Sequence, residues 1–208
     1  MRKDEIINEI IAIILGIIIL GISIYHKNTI QLQTSIFFIT IIILVNILIK
    51  KIVAYTFETK ITTKIWTMDS FGFPKKAHFK KPLPMIWLPL LLSAISSGLL
   101  LWLPVFTFDI DTKPERASKR HGLYRFTQVT EWHIAIIVMW GIFANLIVAI
   151  FGYILGYESF ARLSIFYAVW SLIPISTLDG SKLFFGNRGL WIITAIITGI
   201  FFILTLFF

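Results

Sequence analysis

The chain has 208 residues, of which 57% are hydrophobic and only 14% are charged, whereas soluble domains carry about 25% charged residues. One soluble core of this size cannot bury so much apolar surface, so the composition excludes an ordinary water-soluble domain and indicates an integral membrane protein. The net charge of +8 lies mainly between apolar runs, which favours lipid headgroups over nucleic acid as a partner, and the absence of cysteine excludes a disulfide scaffold.

Six apolar runs are long enough for transmembrane helices, which need about 20 mostly apolar residues. They cover 6–25, 33–57, 84–108, 131–156, 159–178 and 190–208. The sequence therefore predicts an all-α integral membrane protein with a single transmembrane domain over 1–208. An even number of crossings places both termini on one side, and a small excess of basic residues on that side predicts cytoplasmic termini in the cell membrane.

Two hydrophilic segments separate these runs. The first, 58–83, contains six lysines and a stretch, 59–68, that is rich in threonine, isoleucine and tryptophan. These residue types favour β-structure, so a small interfacial β element is predicted there. The second segment, 109–130, mixes acidic and basic residues and is predicted to be a solvated loop.

Asp179 is the ionisable residue of greatest interest, because a charge at membrane depth is costly and is usually functional. It follows the fifth apolar run, in which Pro174 removes a backbone donor. Gly180 permits a break, so the helix is predicted to end or kink here. For Asp179 taken alone, a solvated side chain after a helix end is the simpler explanation.

The motif around this aspartate resembles the second signature of the site-2 protease family of intramembrane zinc metalloproteases. Pro174-x-x-x-Leu178-Asp179-Gly180 is similar to the family's Asn-x-x-Pro-x-x-x-Leu-Asp-Gly segment, with Ser171 at the asparagine position. In the family this segment supplies an aspartate that binds the catalytic zinc. The resemblance therefore implies that Asp179 stands at the position of a zinc ligand.

A weaker resemblance lies in the fourth predicted helix. Gly141 and Asn145 match a Gly-Pro-x-x-Asn element of the same family, with Ile142 in place of the proline. Six helices with the aspartate at the end of the fifth also agree with the family core. The resemblance covers about residues 33–208.

The family's first signature, His-Glu-x-x-His, is absent. The chain has four histidines, no two of them four residues apart: His26, His78, His121 and His133. The register that best matches the second predicted helix places Asn46 and Lys50 at the histidine positions and Ile47 at the glutamate. A shift by one places Val45 and Ile49 there. Catalytic zinc needs about three protein ligands and an activated water, so the resemblance implies an inactive member without catalytic residues, metal or cofactor.

The preferred register predicts an ion pair. If the family geometry persists, Lys50 and Asp179 face one cavity, and the ammonium replaces the charge of the metal. Asn46 then adds a hydrogen-bonding group. A buried carboxylate without a partner costs several kcal/mol, which is the physical motive for such a replacement. The alternative is that Lys50 and Lys51 extend to lipid headgroups.

The sequence thus predicts a catalytically inactive site-2-protease-like protein that binds transmembrane partners or forms a subunit of a membrane complex, in contact with lipid and not with nucleic acid. One alternative is a divergent zinc protease that uses Asp179 and His133. Another is a carrier of ions or small molecules that uses the Lys50–Asp179 pair. His133 lies beside Trp132 at the start of the fourth predicted helix, where an interfacial anchor is the simpler expectation.

Overall fold

The computed structural model describes residues 3–25, 31–70, 78–98, 100–113, 120–121, 124–125 and 129–207. The helices in these ranges are α1 (Lys3–Tyr25), α2 (Leu32–Thr56), α3 (Leu88–Ile95), α4 (Glu131–Ile154), α5 (Glu158–Leu172), α6 (Asp179–Gly186) and α7 (Arg188–Phe207). The strands are β1 (Thr59–Ile65), β2 (Thr67–Ser70), β3 (His78–Pro84), β4 (Phe106–Thr112), β5 (Arg120–His121) and β6 (Tyr124–Arg125). Phe208, which ends the sixth predicted helix, lies outside the described residues, as does much of the predicted loop 109–130.

Four helices, α1, α2, α4 and α7, are long and apolar enough to cross a membrane. They correspond to the first, second, fourth and sixth predicted spans. Apolar side chains surround much of each helix and remain exposed on its outer face, as expected where lipid is the solvent. The chain is therefore mostly helical, with four candidate membrane helices and small sheets, and six spans are not confirmed.

The third predicted span, 84–108, is wrong. Within it the α-helix α3 has only eight residues, and Phe106 already begins β4. The helix ends because Ser97 and Gly98 adopt positive φ angles of 51° and 78°, which an α-helix cannot continue through. Beyond them Pro104 lacks a backbone donor. The prediction rested on hydropathy, by which 84–108 is one apolar run.

The predicted β element is present as β1, β2 and β3, although the partner of β1 comes from elsewhere in the chain. β1 pairs antiparallel with β4, from Thr59 opposite Thr112 to Ile65 opposite Phe106. The first residues of the predicted loop 109–130 thus belong to a strand. Ile65 and Phe106 lie side by side, so the segment between them starts and ends at the same height in the helix bundle. This segment therefore makes no net crossing of the bundle.

The fifth predicted span, 159–178, is shorter than predicted. Helix α5 has 15 residues and ends at Leu172, since Ile173 adopts extended backbone angles. The residue before a proline is disfavoured in the α-region, and Pro174 follows directly. A short link with a turn at Ser176 and Thr177 then leads to Asp179, which begins α6.

The two chain ends lie at opposite ends of the helix bundle. Near the start of α1, the Glu9 carboxylate accepts a hydrogen bond from the backbone N–H of Thr63 in β1 (2.9 Å). This is the end where α2 stops and α4 begins, because the Phe57 ring packs on the His133 ring with centroids 4.7 Å apart. Near the end of α7, Leu204 lines a groove with residues from the end of α4. The prediction that both termini lie on one side of a membrane counted 84–108 as a crossing, and it is not confirmed.

Two apolar clusters fill the bundle. One joins α1 and α2 to the chain just before β4, through residues such as Leu20, Ile43 and Val105. The other joins α4, α5 and α6, through residues such as Ile142 and Leu183. In lipid such contacts stabilise the fold by close packing more than by removal from water. Helices α2 and α6 each pack against α4.

Candidate functional site

Lys50 and Asp179 form a buried ion pair between α2 and α6. The Lys50 ammonium donates a hydrogen bond to Oδ2 of Asp179, and the two side chains are only 8% and 9% exposed. The ion pair predicted from the sequence is thus present, and Lys50 does not extend to lipid headgroups.

The position of Asp179 follows from the local sequence. It is the first residue of α6, where a carboxylate interacts favourably with the helix dipole. Gly180 allows α6 to start close against the end of α5, because a Cβ at this position would overlap the carbonyl oxygen of Ile173 and lie 2.5 Å from the carbonyl carbon of Leu172. The glycine of the Leu-Asp-Gly motif therefore sets where the carboxylate lies.

Asn46 and Gly141 join α2 to α4 beside the ion pair. Asn46 lies one turn before Lys50, on the same buried face of α2. Its Nδ2 donates a hydrogen bond to the carbonyl oxygen of Gly141 (2.9 Å) and not to Asp179. A Cβ on Gly141 would lie 2.5 Å from Cε of Lys50, so the glycine is needed for this close approach. Four of the residues singled out in the sequence thus meet in one place.

The other motif residues lie nearby and make contacts of their own. Leu178 is buried and packs with Trp66 and Met85, and Pro174 lies in the link between α5 and α6. Asn145 is fully buried, and its side-chain amide has no hydrogen-bond partner among the described residues. Its backbone carbonyl accepts a hydrogen bond from Ser164 Oγ (2.8 Å). Asn145 therefore belongs to the α4–α5 contact.

A cavity of about 10 Å³ lies beside the ion pair, which is room for about one water molecule. Oδ1 of Asp179 is buried without a hydrogen-bond partner among the described residues. Thr63 and Tyr167 also line this cavity, and sequence reasoning missed both. For Tyr167 a signal existed, because a buried phenol usually needs a hydrogen-bond partner for its hydroxyl. The cavity is far too small to pass a solute.

The described residues around Asp179 do not fit a catalytic zinc ion. Among the described residues, no three His, Cys, Asp or Glu side chains come together. The Asp179 carboxylate is paired with an ammonium, which repels a cation. His133 contacts Phe57 and the Thr130 hydroxyl at the start of α4, and it does not line the cavity beside Asp179. His26 lies outside the described residues.

A second buried carboxylate is paired with the next lysine of α2. Glu9 of α1 lies 2.7 Å from the Lys51 ammonium and is itself buried. The two consecutive lysines therefore point to different acidic partners, Lys50 to α6 and Lys51 to α1. Sequence reasoning missed this second pair, although a carboxylate inside the first apolar run was a visible signal.

Lys182, one turn after Asp179 in α6, lies beside strand β4. Its ammonium donates hydrogen bonds to the Phe108 carbonyl and to the Thr107 hydroxyl (3.0 Å). It lies 3.8 Å from the centroid of the Phe108 ring, and the Lys50 ammonium lies 5.4 Å from the same centroid. Burial lowers the pKa of Lys182 to about 8, and the charge of Lys50 acts in the same direction, while the carboxylates of Asp179 and Asp109 oppose it.

The fold and the site define a helical protein with four candidate membrane helices and a buried lysine–aspartate pair beside a small sheet. No family model, curated protein or solved structure matches this chain. The resemblance to site-2 proteases therefore rests on the motif residues of the sequence alone.

Proposed function

We propose that this chain is a catalytically inactive, site-2-protease-like membrane protein that binds transmembrane partners or forms a subunit of a membrane complex. The observation that supports this proposal is the ion pair of Lys50 with Asp179. It lies where the family resemblance implies catalytic zinc. An ammonium neutralises a carboxylate as a metal does, but it is no Lewis acid and activates no water.

The ion pair also gives a reason why the fold is stable without zinc. Removing zinc alone would leave a carboxylate buried and unpaired, at a cost of several kcal/mol. Lys50 supplies the missing charge, and the Asn46 amide keeps α2 bonded to α4. A site with an ammonium and an amide where the resemblance implies zinc ligands suits a protein that binds and does not cleave.

We also propose that the chain is a multi-pass protein of the cell membrane with its N-terminal end in the cytoplasm. The end of the bundle next to the start of α1 carries basic residues, including Lys60, Lys113 and Arg188. Positive charge flanking membrane helices favours the cytoplasmic side. The C-terminal end of α7 then lies on the opposite side.

The double variant Asn46→His/Lys50→His is expected to bind about one zinc ion per chain. Histidines at i and i+4 share one helix face, and Asp179 supplies a third ligand. Wild-type protein is expected to hold less than a tenth of that amount, roughly the background for a chain with one ligand. Zinc content of the purified protein, measured by mass spectrometry, checks both expectations.

A matched control lies on the same helix. Leu44→His with Leu48→His has the same spacing on an exposed face of α2, away from Asp179, and should bind no zinc tightly. Equal zinc in the two double variants would contradict the proposed equivalence with a metal site. Stoichiometric zinc in wild type, lost in Asp179→Ala, would overturn the inactive assignment and favour a divergent protease.

The binding part of the proposal predicts a second membrane protein at constant ratio when the chain is purified from its own membranes in several mild detergents. The ratio should be unchanged by Lys60→Gln, which lies outside the ion-pair site. A chain that purifies alone, with lipid only, contradicts this part. Uptake of a solute into proteoliposomes that Lys50→Met abolishes would support the carrier alternative instead.

A further inference from the structure

A second and larger cavity opens between the β1–β4 sheet and the helices α4 and α6. Its volume is about 520 Å³, within the usual range for small-molecule sites. Two lysines, one aspartate and three threonines line it, and isoleucines with Phe108 form its apolar part. We call this cavity the interfacial cleft.

The interfacial cleft carries an excess of positive charge. Lys64 is paired with Asp109 across the β1–β4 sheet, so these two charges compensate each other. Lys182 bonds only to neutral oxygens, those of Thr107 and Phe108. Among the described residues no carboxylate lies within salt-bridge distance of its ammonium. One cation in the cleft is therefore available for an anionic ligand.

The cleft lies where two candidate membrane helices end. β1 follows directly after α2, and Ile134, which lines the cleft, is in the first turn of α4. If the bundle spans a bilayer as proposed above, the Ile134 end of the cleft lies near the level at which lipid phosphates meet the hydrocarbon region. The apolar side chains of Ile65 and Ile110 line the same cleft. A ligand with a phosphate and an attached apolar part matches both kinds of lining.

We propose that the interfacial cleft binds a phosphate group, either the phosphodiester in the headgroup of an anionic phospholipid or free inorganic phosphate. The phosphate oxygens accept hydrogen bonds from the ammonium groups of Lys182 and Lys64 and from threonine hydroxyls. Lysine binds phosphate as a point charge from several directions, and charge-assisted hydrogen bonds are the strongest of their kind. The cleft shares Thr107 and Phe108 with the cavity beside the ion pair, but the proposal does not rest on the proposed lack of proteolysis.

The test uses the purified full chain in a non-ionic detergent without phosphate, titrated with dihexanoyl phosphatidylglycerol and followed by isothermal calorimetry. Saturable binding is expected. Lys182→Gln should weaken it about tenfold, as expected for loss of a charged hydrogen bond, and Lys182→Arg should preserve it. Lys64→Gln, on an exposed side chain, should also weaken binding. Lys60→Gln removes the same charge from β1 outside the cleft and should leave the affinity unchanged.

Competition identifies the source of the phosphate. If inorganic phosphate displaces the lipid at similar concentration, the site takes free phosphate, and if it does not, the site takes the lipid headgroup. Both outcomes support the proposal. Equal binding of dihexanoylglycerol, which lacks phosphate, would overturn it. So would an absence of binding by wild type, or equal weakening by Lys60→Gln and Lys182→Gln.

Discussion

Replacing Lys50 with methionine is expected to lower the free energy of unfolding by about 3–5 kcal/mol. The change keeps most of the side-chain volume but leaves the Asp179 carboxylate buried without its cation, and breaking one side of a buried pair costs this much. Oδ1 of Asp179 already lacks a hydrogen-bond partner among the described residues, so no hydrogen bond to Oδ1 offsets the loss of the ammonium. Unfolding in mixed detergent micelles, followed by circular dichroism, measures the loss.

Two variants separate charge from packing. Lys50→Met combined with Asp179→Asn removes both charges and should recover most of the stability, because neither group is then an unpaired ion. Lys64→Met breaks the Lys64–Asp109 pair, whose side chains are each 58% exposed, and should cost no more than about 1 kcal/mol. A double variant as unstable as Lys50→Met alone would show that Lys50 stabilises the fold by packing and not by charge.

Gly180→Ala is expected to cost about 3 kcal/mol, at the upper end of the range for overpacking. The new methyl group would overlap backbone atoms of Ile173 and Leu172, and backbone atoms cannot rotate away as a side chain can. Helix α6 must therefore shift, and Asp179 shifts with it away from Lys50. The same unfolding measurement tests this expectation, and adding Lys50→Met to Gly180→Ala should cost less than it does in wild type.

The matched control is Gly199→Ala, in the middle of α7. No atom outside the local helix lies within 4 Å of a Cβ at this position, and alanine is the better helix former by up to about 1 kcal/mol. Stability should therefore be unchanged or slightly raised. If Gly180→Ala behaved like Gly199→Ala, the close approach of α6 to the end of α5 would not be what positions Asp179.

The ion pair could be predicted because the family resemblance assigns Lys50 and Asp179 to positions that face one site. Asn46 and Lys50 are four residues apart and so share a helix face, and the Leu-Asp-Gly motif with Pro174 marks a point where the helix is interrupted. The four candidate membrane helices could be predicted because hydropathy over 20 residues depends only on neighbouring residues.

The rest of the fold depends on contacts between distant parts of the chain. Thr59 pairs with Thr112, and no local pattern reports a strand pairing across more than 50 residues. An apolar segment that packs inside a bundle has the same hydropathy as one that crosses the membrane, which is why 84–108 was assigned to a span. The Glu9–Lys51 pair was likewise not predicted. The sequence shows a carboxylate in the first apolar run, but its pairing with Lys51 requires α1 to pack against the end of α2.

The opposite placement of the chain ends has a consequence for any fusion protein. If the bundle spans the bilayer as we propose, a reporter on the N-terminus and one on the C-terminus work in different compartments. Two copies joined head to tail would then stand in opposite orientations in the same membrane. This is the architecture of inverted-repeat transporters, and a chain of this topology reaches it by duplication alone.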